Sequence, residues 1–386
     1  AADRAAGWFV LVILLLALGT ALAWWQVDAS RAFGAVLAVL VVTCPCALSL
    51  ATPAALAAAT ARLARLGLLV TRADAIERLA RVDTVIFDKT GTLTRPATDV
   101  LDVKLLSTHS REDVLAMAAA LERGSDHPVA EAFRPFDRGG QDVTASRELD
   151  GAGIEARVDG VLWRLGRRGF VEEIGKVASR APPVPLNAVG TRVYLGNESG
   201  LAAEVEVGTP LRADAREAVD ALRAQDLRVM IASGDGVAAV RRTAATLELE
   251  RALAGLAPSD KIRLVEDLRG RGHRVFVIGD GINDGPVLAS ADVSCAMGQG
   301  SAIAQSASDL LLVHDGLATL PCAVATARRT LRVMRQNLGW ALVYNVAAVP
   351  LAALGLVPPW LAALGMSLSS LGVVLNARRL ATEPNP

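Results

Sequence analysis

The sequence predicts a multi-domain membrane protein, in which α-helical transmembrane segments are joined to a soluble α/β domain that carries an inserted α+β domain. Its 386 residues are more than one ordinary domain needs. Hydrophobic residues make up 52% of the chain and charged residues 21%, with a mean hydropathy of +0.37. This mixture indicates membrane segments beside a normal soluble part. Strand and helix patterns alternate between residues 67 and 330, and the charge-free stretches lie on either side.

Charge and cysteine counts exclude several classes of protein. The 40 basic and 40 acidic residues balance, so nothing indicates nucleic acid as a partner. The four cysteines are Cys44, Cys46, Cys295 and Cys322, and two of them lie in an apolar run, which argues against a secreted disulfide framework. Because the chain opens on Ala without a basic signal-peptide start, we expect it to begin partway through a larger protein.

Four uncharged stretches predict the transmembrane helices. Residues 8–27 would form a helix about 30 Å long, enough to cross a bilayer. Residues 32–61 exceed one straight span and contain Pro45 and Pro53, which should kink or open the helix. Residues 336–377, interrupted by Pro358 and Pro359, predict a helical hairpin. Arginines flank the same sides of these stretches, which predicts that the large soluble insert and the C-terminus are cytoplasmic.

The soluble insert has the pattern of a parallel sheet covered by helices. Residues 82–87, 227–232 and 274–278 are apolar strand-like runs, and an acidic residue follows each of them closely: Asp88, Asp235 and Asp280. The carboxyl ends of parallel strands are where such sheets place their sites. Residues 100–185 have shorter helices, strand-like pieces and glycines, which predicts a second domain inserted into the first.

The string Asp88-Lys-Thr-Gly-Thr-Leu-Thr94 is the most specific motif. A carboxylate at a strand end can attack a γ-phosphate and form an acyl phosphate. Magnesium and cationic groups would then screen the phosphoryl oxygens. The candidate catalytic residues are Asp88, Lys89, Thr90, Ser233, Gly234, Asp235 and Lys261, and the candidate magnesium ligands are Asp88, Thr90, Asp280 and Asp284.

These motifs resemble those of the P-type ATPases, which share a haloacid-dehalogenase-like phosphorylation domain. The resemblance covers essentially the whole chain, from Asp3 to Leu380. It implies that Asp88 is the phosphorylated residue and that ATP and Mg²⁺ are needed. Soluble phosphatases of the superfamily usually carry an acid two positions after the nucleophile, where this chain has Thr90. The phosphoaspartate should therefore persist, which separates a pump from a phosphatase.

A second set of residues resembles the nucleotide-binding signatures of the heavy-metal pumps. It comprises Glu122, His127 in Ser125-Asp-His-Pro128, and the glycines Gly151 and Gly153. By resemblance, His127 lies against the adenine and the glycines let the backbone approach the nucleotide. Two positions depart from the family pattern, because Asp126 replaces the more usual Glu and Thr209 stands where an acid is usual.

Cys44-Pro45-Cys46 predicts the metal path. Two thiolates on an opened helix form a soft site that selects copper(I), zinc and similar ions, although two such cysteines could also simply pack as small apolar residues. Within the family the motif marks the heavy-metal branch. Four further residues match the pattern of copper(I) pumps, and the final hairpin has no acidic residue that a zinc site would use. The copper candidates are Cys44, Cys46, Tyr344, Asn345, Met366 and Ser370.

The predicted function is ATP-driven export of copper(I) from the cytoplasm through a phosphoaspartate, in a multi-pass protein of the bacterial inner membrane. Silver, zinc or cadmium is the alternative ion, and a membrane-anchored haloacid-dehalogenase-type phosphatase is the alternative class. A copper chaperone could serve as a partner. By resemblance, an actuator domain and the first spans are expected outside these residues. The predicted domains are transmembrane helices at 1–66 and 331–380, a phosphorylation domain at 67–99 and 186–330, a nucleotide-binding domain at 100–185, and a tail at 381–386.

Overall fold

The computed structural model describes residues 2–44, 46–125, 127–149, 151–175, 190–280, 285–298, 308–314 and 316–381. These residues form two compact units, of which the first joins residues 1–81 to 321–386 and the second comprises residues 82–320. The helices are α1 (Ala2–Val27), α2 (Ala29–Val42), α3 (Cys46–Arg65), α4 (Ala75–Leu79), α5 (Arg111–Leu121), α6 (Pro128–Phe133), α7 (Arg168–Glu172), α8 (Ala215–Arg223), α9 (Val237–Thr246), α10 (Pro258–Gly270), α11 (Gly285–Ser290), α12 (Thr319–Ala353) and α13 (Pro359–Arg378). The strands are β1 (Leu68–Val70), β2 (Thr84–Phe87), β3 (Asp99–Leu105), β4 (Val143–Leu149), β5 (Gly153–Val158), β6 (Val161–Gly166), β7 (Thr191–Asn197), β8 (Gly200–Gly208), β9 (Arg228–Ala232), β10 (Ala252–Leu253), β11 (Val275–Gly279), β12 (Val293–Met297) and β13 (Leu310–Leu312).

The long uncharged stretch of residues 32–61 forms parts of two helices. α2 ends at Val42, where the Thr43 hydroxyl donates to the Val39 carbonyl at 2.7 Å, and α3 begins at Cys46. The helix therefore opens at the Cys-Pro-Cys motif, as predicted, although Pro45 itself lies outside the described residues. Pro53 lies inside α3 and does not end it. A proline in a helix interior removes one backbone hydrogen bond and can kink the helix, but the bonds on either side of it continue the element.

The two halves of the first unit pack through α13, which lies against both α2 and α3. The predicted hairpin is present, with α12 and α13 joined by a turn in which Gly355 has φ +69°. The Trp24 indole of α1 donates to the Ala353 carbonyl at 2.8 Å beside this turn. Large apolar side chains stay exposed on the outside of the unit, for example Leu18 at 57% and Val346 at 67%. An apolar outer surface of this extent favours contact with lipid.

Length and composition single out α13 within the part of the chain that the structure describes. Its 20 residues have a mean hydropathy of 1.5 over the membrane-length window, enough to cross a bilayer, while Leu11–Val27 and Ala29–Val42 are shorter apolar helices. The other spans stay a prediction from the sequence.

The second unit contains the predicted parallel sheet. Six of its strands lie in the order β13-β12-β11-β2-β9-β10, with every neighbouring pair parallel. All four residues of β2 are buried, as expected for a strand covered on both faces. One side of the sheet packs on α10 and α11 through Ile86, Val265, Val277 and Val287. The predicted α/β fold class is confirmed.

An antiparallel sheet forms the inserted part, in the order β3-β8-β7-β6-β5-β4. Leu115 of α5, Phe133 of α6 and Trp163 of β6 belong to its core. The predicted boundary at residue 185 is wrong, because β7 and β8 belong to this sheet and extend it to Gly208. The prolines at 182, 183 and 185 indicate a connection, but they do not say which sheet the next strands join. Residues 176–189 themselves lie outside the described residues.

Candidate functional site

Asp88 lies at the carboxyl end of β2, in the middle of the parallel sheet. Its backbone N–H donates to the Ile278 carbonyl of β11 at 2.9 Å, and the residue is 9% exposed. β2 is paired in register with β9 on one side and β11 on the other. The ends of these three strands therefore bring the predicted residues Asp88, Ser233 and Asp280 to one edge of the sheet.

Lys261 supplies a buried positive charge to the Asp88 carboxylate. It projects from α10, and its Nζ donates to Asp88 Oδ1 at 2.7 Å with only 9% of the lysine side chain exposed. Charge-assisted hydrogen bonds of this kind are short and strong in a buried setting. The contact places a positive charge beside the carboxylate and fixes its direction, as a nucleophile requires.

Asp235 binds the first two residues of the loop that follows Asp88. The Lys89 ammonium is ion-paired with Asp235, and the Thr90 hydroxyl donates to Asp235 Oδ2 at 2.8 Å. Burial acts to raise the pKa of Asp235, but the Lys89 charge and the hydroxyls of Thr90 and Ser233 outweigh it and hold the pKa below its usual value. The charged Asp235 carboxylate thus holds Lys89 and Thr90 of the loop in place.

The loop 89–93 is shaped at Gly91, which has φ +72°. A Cβ at this position would lie 2.6 Å from Asp280 Oδ2, so the Asp280 carboxylate lies where a side chain would otherwise be. From the other side, the buried Arg212 donates to the Thr92 carbonyl at 2.7 Å and to the Gly91 carbonyl at 3.1 Å. Sequence reasoning gave Arg212 no role in this site, because nothing in the motif spacing connects it with residues about 120 positions earlier.

The residues at this edge fit a magnesium ion. Mg²⁺ takes oxygen ligands, and the Asp280 carboxylate packs against Gly91 in the loop that begins after Asp88 and carries Thr90. The close fit of Asp280 against Gly91 holds its carboxylate at the site. The fourth predicted ligand, Asp284, lies outside the described residues.

The four predicted nucleotide-binding residues line one cavity of about 290 Å³ at the end of the antiparallel sheet. Burial, with the nearby Glu148, raises the pKa of Glu122 against the opposing effects of Ser125 and His127. The exposed His127 starts α6, where its Nδ1 accepts from the Val129 N–H at 3.2 Å. The cavity is also lined by residues that sequence reasoning missed, among them Glu148, Arg167, Thr191 and Arg192.

The two glycines of the nucleotide signature have different surroundings. Gly151 has φ +68° and open space where a Cβ would be. Gly153 pairs with Gly166 of β6, and a Cβ on it would lie 2.2 Å from the Leu165 carbonyl. Gly153 is therefore required by close strand pairing, and only Gly151 matches the expected open approach to a ligand.

The predicted metal ligands lie on helices that pack together. Cys44 is half-buried after the end of α2, and Cys46 is the first residue of α3, where only its backbone is described. Tyr344 of α12 packs beside the buried Ala38 and Val42 cluster of α2. Its hydroxyl lies over Gly365, next to Met366, where a Cβ would be 2.9 Å away.

Ser370 of α13 has a buried Oγ with no hydrogen-bond partner in the part of the chain that the structure describes. In that same part, no group of three His, Cys, Asp or Glu side chains is arranged to hold a metal ion. Among the described residues, the structure therefore brings the helices of the predicted ligands together.

Comparison with known proteins identifies the family. Residues 82–292 match the family haloacid dehalogenase-like hydrolase. The chain is 38% identical to a cation-transporting P-type ATPase B of Mycobacterium tuberculosis, over 98% of this chain and 52% of that protein. It is also 38% identical to a copper-exporting P-type ATPase of the same organism, over 98% of this chain and 50% of that protein. The chain belongs to the haloacid dehalogenase-like hydrolases, and over 98% of its length it is similar to P-type ATPases. It spans about half the length of these curated relatives.

Solved structures of P-type ATPases have the same fold. A zinc-transporting PIB-type ATPase in its E2.Pi state is 31% identical, with a TM-score of 0.82 over 98% of this chain and 63% of that chain. Its similarity covers both units, which supports a membrane protein with the first unit as the helical part. The haloacid dehalogenase-like match lies within the unit that contains Asp88 and ends at residue 292.

Proposed function

We propose that the chain is the catalytic and ion-conducting part of an ATP-driven pump that exports copper(I) through a phosphoaspartate at Asp88. The observation that carries the catalytic half is the buried contact of 2.7 Å between Lys261 and Asp88, at a strand edge that also holds Ser233 and Asp280. A carboxylate held in this way is suited to nucleophilic attack on a phosphoryl group.

In the proposed step, an oxygen of Asp88 bonds to the γ-phosphorus of ATP while the bond to the ADP oxygen breaks, so that ADP leaves. Lys261 balances negative charge beside the attacking carboxylate, and Ser233 with the Gly234 backbone is suited to donate to phosphoryl oxygens. Magnesium, held by Asp88, Thr90, Asp280 and Asp284, would screen those oxygens when bound. The adenine would lie in the cavity with Glu122, His127 and Gly151.

Copper(I) is favoured as the transported ion by the chemistry of the predicted ligands. Two cysteine thiolates and the Met366 thioether are soft donors, and the final hairpin has no acidic residue. The copper-exporting relative supports the same choice. Only reduced cysteines supply thiolate ligands, so the binding measurements need a reductant. Zinc is the second candidate, because the solved relative is a zinc-transporting ATPase.

The catalytic proposal is tested by labelling with γ-labelled ATP. Asp88→Asn should abolish acid-stable, hydroxylamine-labile labelling, because an amide cannot attack the phosphorus. Asp226→Asn is the matched control, since Asp226 is exposed in a left-handed turn that asparagine also accepts. Labelling that survives Asp88→Asn would remove Asp88 from this role.

The metal proposal is tested by X-ray absorption and binding measurements on the reduced, detergent-purified chain. Cu(I) should have a sulfur-dominated shell, and the Cys44→Ala, Cys46→Ala double variant should lose high-affinity binding. Cys322→Ala is the control, because this thiol is unpaired and half-buried outside the proposed site. An oxygen- and nitrogen-only shell, or tighter binding of Zn(II) than of Cu(I), would overturn the copper assignment.

The location and partner follow from the same proposal. An exporter of cytoplasmic copper(I) would be a multi-pass protein of the bacterial inner membrane, with the second unit in the cytoplasm where ATP is available. A copper chaperone could deliver the ion. Membrane fractionation of the producing bacterium, combined with protease access to the second unit in spheroplasts and inverted vesicles, tests this orientation.

A further inference from the structure

The cavity at the end of the antiparallel sheet has a basic wall that the nucleotide signature does not include. Arg167 follows the last residue of β6, and Arg192 is the second residue of β7. Both line the cavity, together with the acidic Glu122 and Glu148. The cavity therefore combines two guanidinium groups with two carboxylates. A ligand with one neutral part and one strongly anionic part would be oriented by these charges.

Arg192 has an unused donor inside the protein. Its Nη1 donates to Glu204 of β8 at 2.6 Å, and the side chain is 18% exposed. Its Nε is buried and has no hydrogen-bond partner among the residues that the structure describes. Buried donors of charged groups are nearly always satisfied, so the Arg192 guanidinium keeps donor capacity that its pair with Glu204 does not use. The pair with Glu204 meanwhile holds the guanidinium in position.

We propose that Arg192 and Arg167 form a subsite for the phosphate chain of an adenine nucleotide. The inference rests on the proposed nucleotide-binding function and adds to it the group that recognises the phosphates. Guanidinium groups bind phosphate oxygens through paired N–H donors, which a lysine cannot reproduce. Glu122 and Glu148 would repel phosphates, so the nucleotide lies with its base toward Glu122 and His127 and its phosphates toward the arginines.

The test compares ligands that differ only in phosphate number. Binding of adenosine, AMP, ADP and ATP to the purified 386-residue chain is measured by calorimetry in EDTA, where phosphoryl transfer does not proceed. Arg192→Gln should weaken ATP binding roughly tenfold or more, since a hydrogen bond to a charged group is worth that factor, and should leave adenosine binding unchanged. Arg192→Lys should restore only part of the loss.

Two further variants separate recognition from folding. Arg167→Gln changes an exposed side chain and should also weaken ATP more than adenosine. Arg157→Gln is the matched control, because Arg157 is exposed on β5 outside the cavity and donates only to the Gly160 carbonyl among the contacts of the described chain. It should change neither ligand. Thermal unfolding of each variant, without ligand, shows whether the domain is intact.

The outcomes distinguish the inference from the function on which it rests. If the wild-type chain binds ATP and both Arg192→Gln and Arg167→Gln keep the ratio of ATP to adenosine affinity, the subsite is overturned and the nucleotide site stands. An equal loss for adenosine and ATP also overturns it, because that indicates a structural role for these arginines. If the wild-type chain binds none of the four ligands, the proposed nucleotide function itself fails.

Discussion

Gly91 is the residue at which the phosphorylation loop depends on the absence of a side chain. Its φ of +72° is unfavourable for other residues, and the Asp280 carboxylate occupies the place of its Cβ at 2.6 Å. Gly272 has φ +90° with nothing within 4 Å of its Cβ position. Both glycines therefore need a positive φ, and only Gly91 also has Asp280 at its Cβ position.

We predict that Gly91→Ala and Gly272→Ala both destabilise the second unit, by about 1–2 kcal/mol each, because both force alanine into the left-handed region. Only Gly91→Ala should also displace Asp280, and it should slow phosphorylation from ATP at least tenfold and raise the Mg²⁺ concentration needed. Thermal unfolding and initial rates of labelling at several Mg²⁺ concentrations measure the two effects. Equal labelling rates in both variants would show that phosphorylation does not depend on the packing of Asp280 against Gly91.

Thr90 determines the proposed lifetime of the phosphoenzyme. The position where related phosphatases carry an acid has a hydroxyl here, and this hydroxyl donates to Asp235 at 2.8 Å. A hydroxyl held in this way cannot act as a general base toward water at neutral pH, whereas a carboxylate can.

We predict that Thr90→Asp shortens the lifetime of the phosphoenzyme roughly 100-fold or more, the typical contribution of general acid–base help. Thr90→Asn has nearly the same shape without the basic oxygen and is the matched control. After labelling, a chase with unlabelled ATP and EDTA follows the decay. A Thr90→Asp variant that is labelled normally but decays at the wild-type rate would contradict the assignment.

At the scale of elements, the sequence predicts those features that depend on local patterns. The buried run of β2 ending at Asp88 is such a feature, and so is the break between α2 and α3 at the Cys-Pro-Cys motif. The assignment of β7 and β8 was wrong because strand pairing is decided by tertiary contacts, and residues 191–208 would fit either sheet by pattern alone. For the same reason the contact of Arg212 with the loop and the position of Arg192 in the cavity could not be predicted.

The predicted boundary at residue 330 lies inside one helix. α12 continues from Thr319 to Ala353, through Arg328, Arg329, Arg332 and Arg335. Arginine is a good helix former, so a change from charged to apolar residues marks a change of environment and does not end a helix.

The contact of α1 with the turn between α12 and α13 gives an element-scale prediction. Gly355 in this turn has φ +69°, and a Cβ would lie 2.7 Å from the Trp24 ring. We expect Gly355→Ala to destabilise the first unit by roughly 1–3 kcal/mol, as overpacking does. Gly372→Ala, in α13 with open space at its Cβ position, should be neutral or stabilising.

Thermal unfolding in detergent, followed by tryptophan fluorescence, compares the two glycine variants. The double variant Trp24→Ala, Gly355→Ala should lose less stability than the sum of the two single changes, because the ring that causes the clash is gone. Strict additivity would show that Gly355 is required only for its backbone conformation.

For the whole molecule, the proposed function requires the two units to influence each other. Cys44 and Met366 belong to the first unit, whereas Asp88 and the nucleotide cavity belong to the second. A pump must couple metal binding in one to nucleotide chemistry in the other. Coupling between two binding sites is reciprocal, so each ligand must change the affinity of the other by the same factor.

We predict that a non-hydrolysable ATP analogue changes the Cu(I) affinity of the reduced chain by roughly 5- to 150-fold, the usual range of such coupling, and that Cu(I) changes the affinity for the analogue by the same factor. The Cys44→Ala, Cys46→Ala variant should still bind the analogue but show no effect of Cu(I), because the proposed metal site is removed while the second unit is unchanged. Cys322→Ala should keep the full coupling.

Competition titrations with a Cu(I) chelator, at zero and at saturating analogue, measure the effect of the analogue on Cu(I) affinity. Calorimetry with and without Cu(I) measures the effect of Cu(I) on the affinity for the analogue. Two affinities that are each normal but independent of one another would show that this chain binds metal and nucleotide without the coupling that a pump needs.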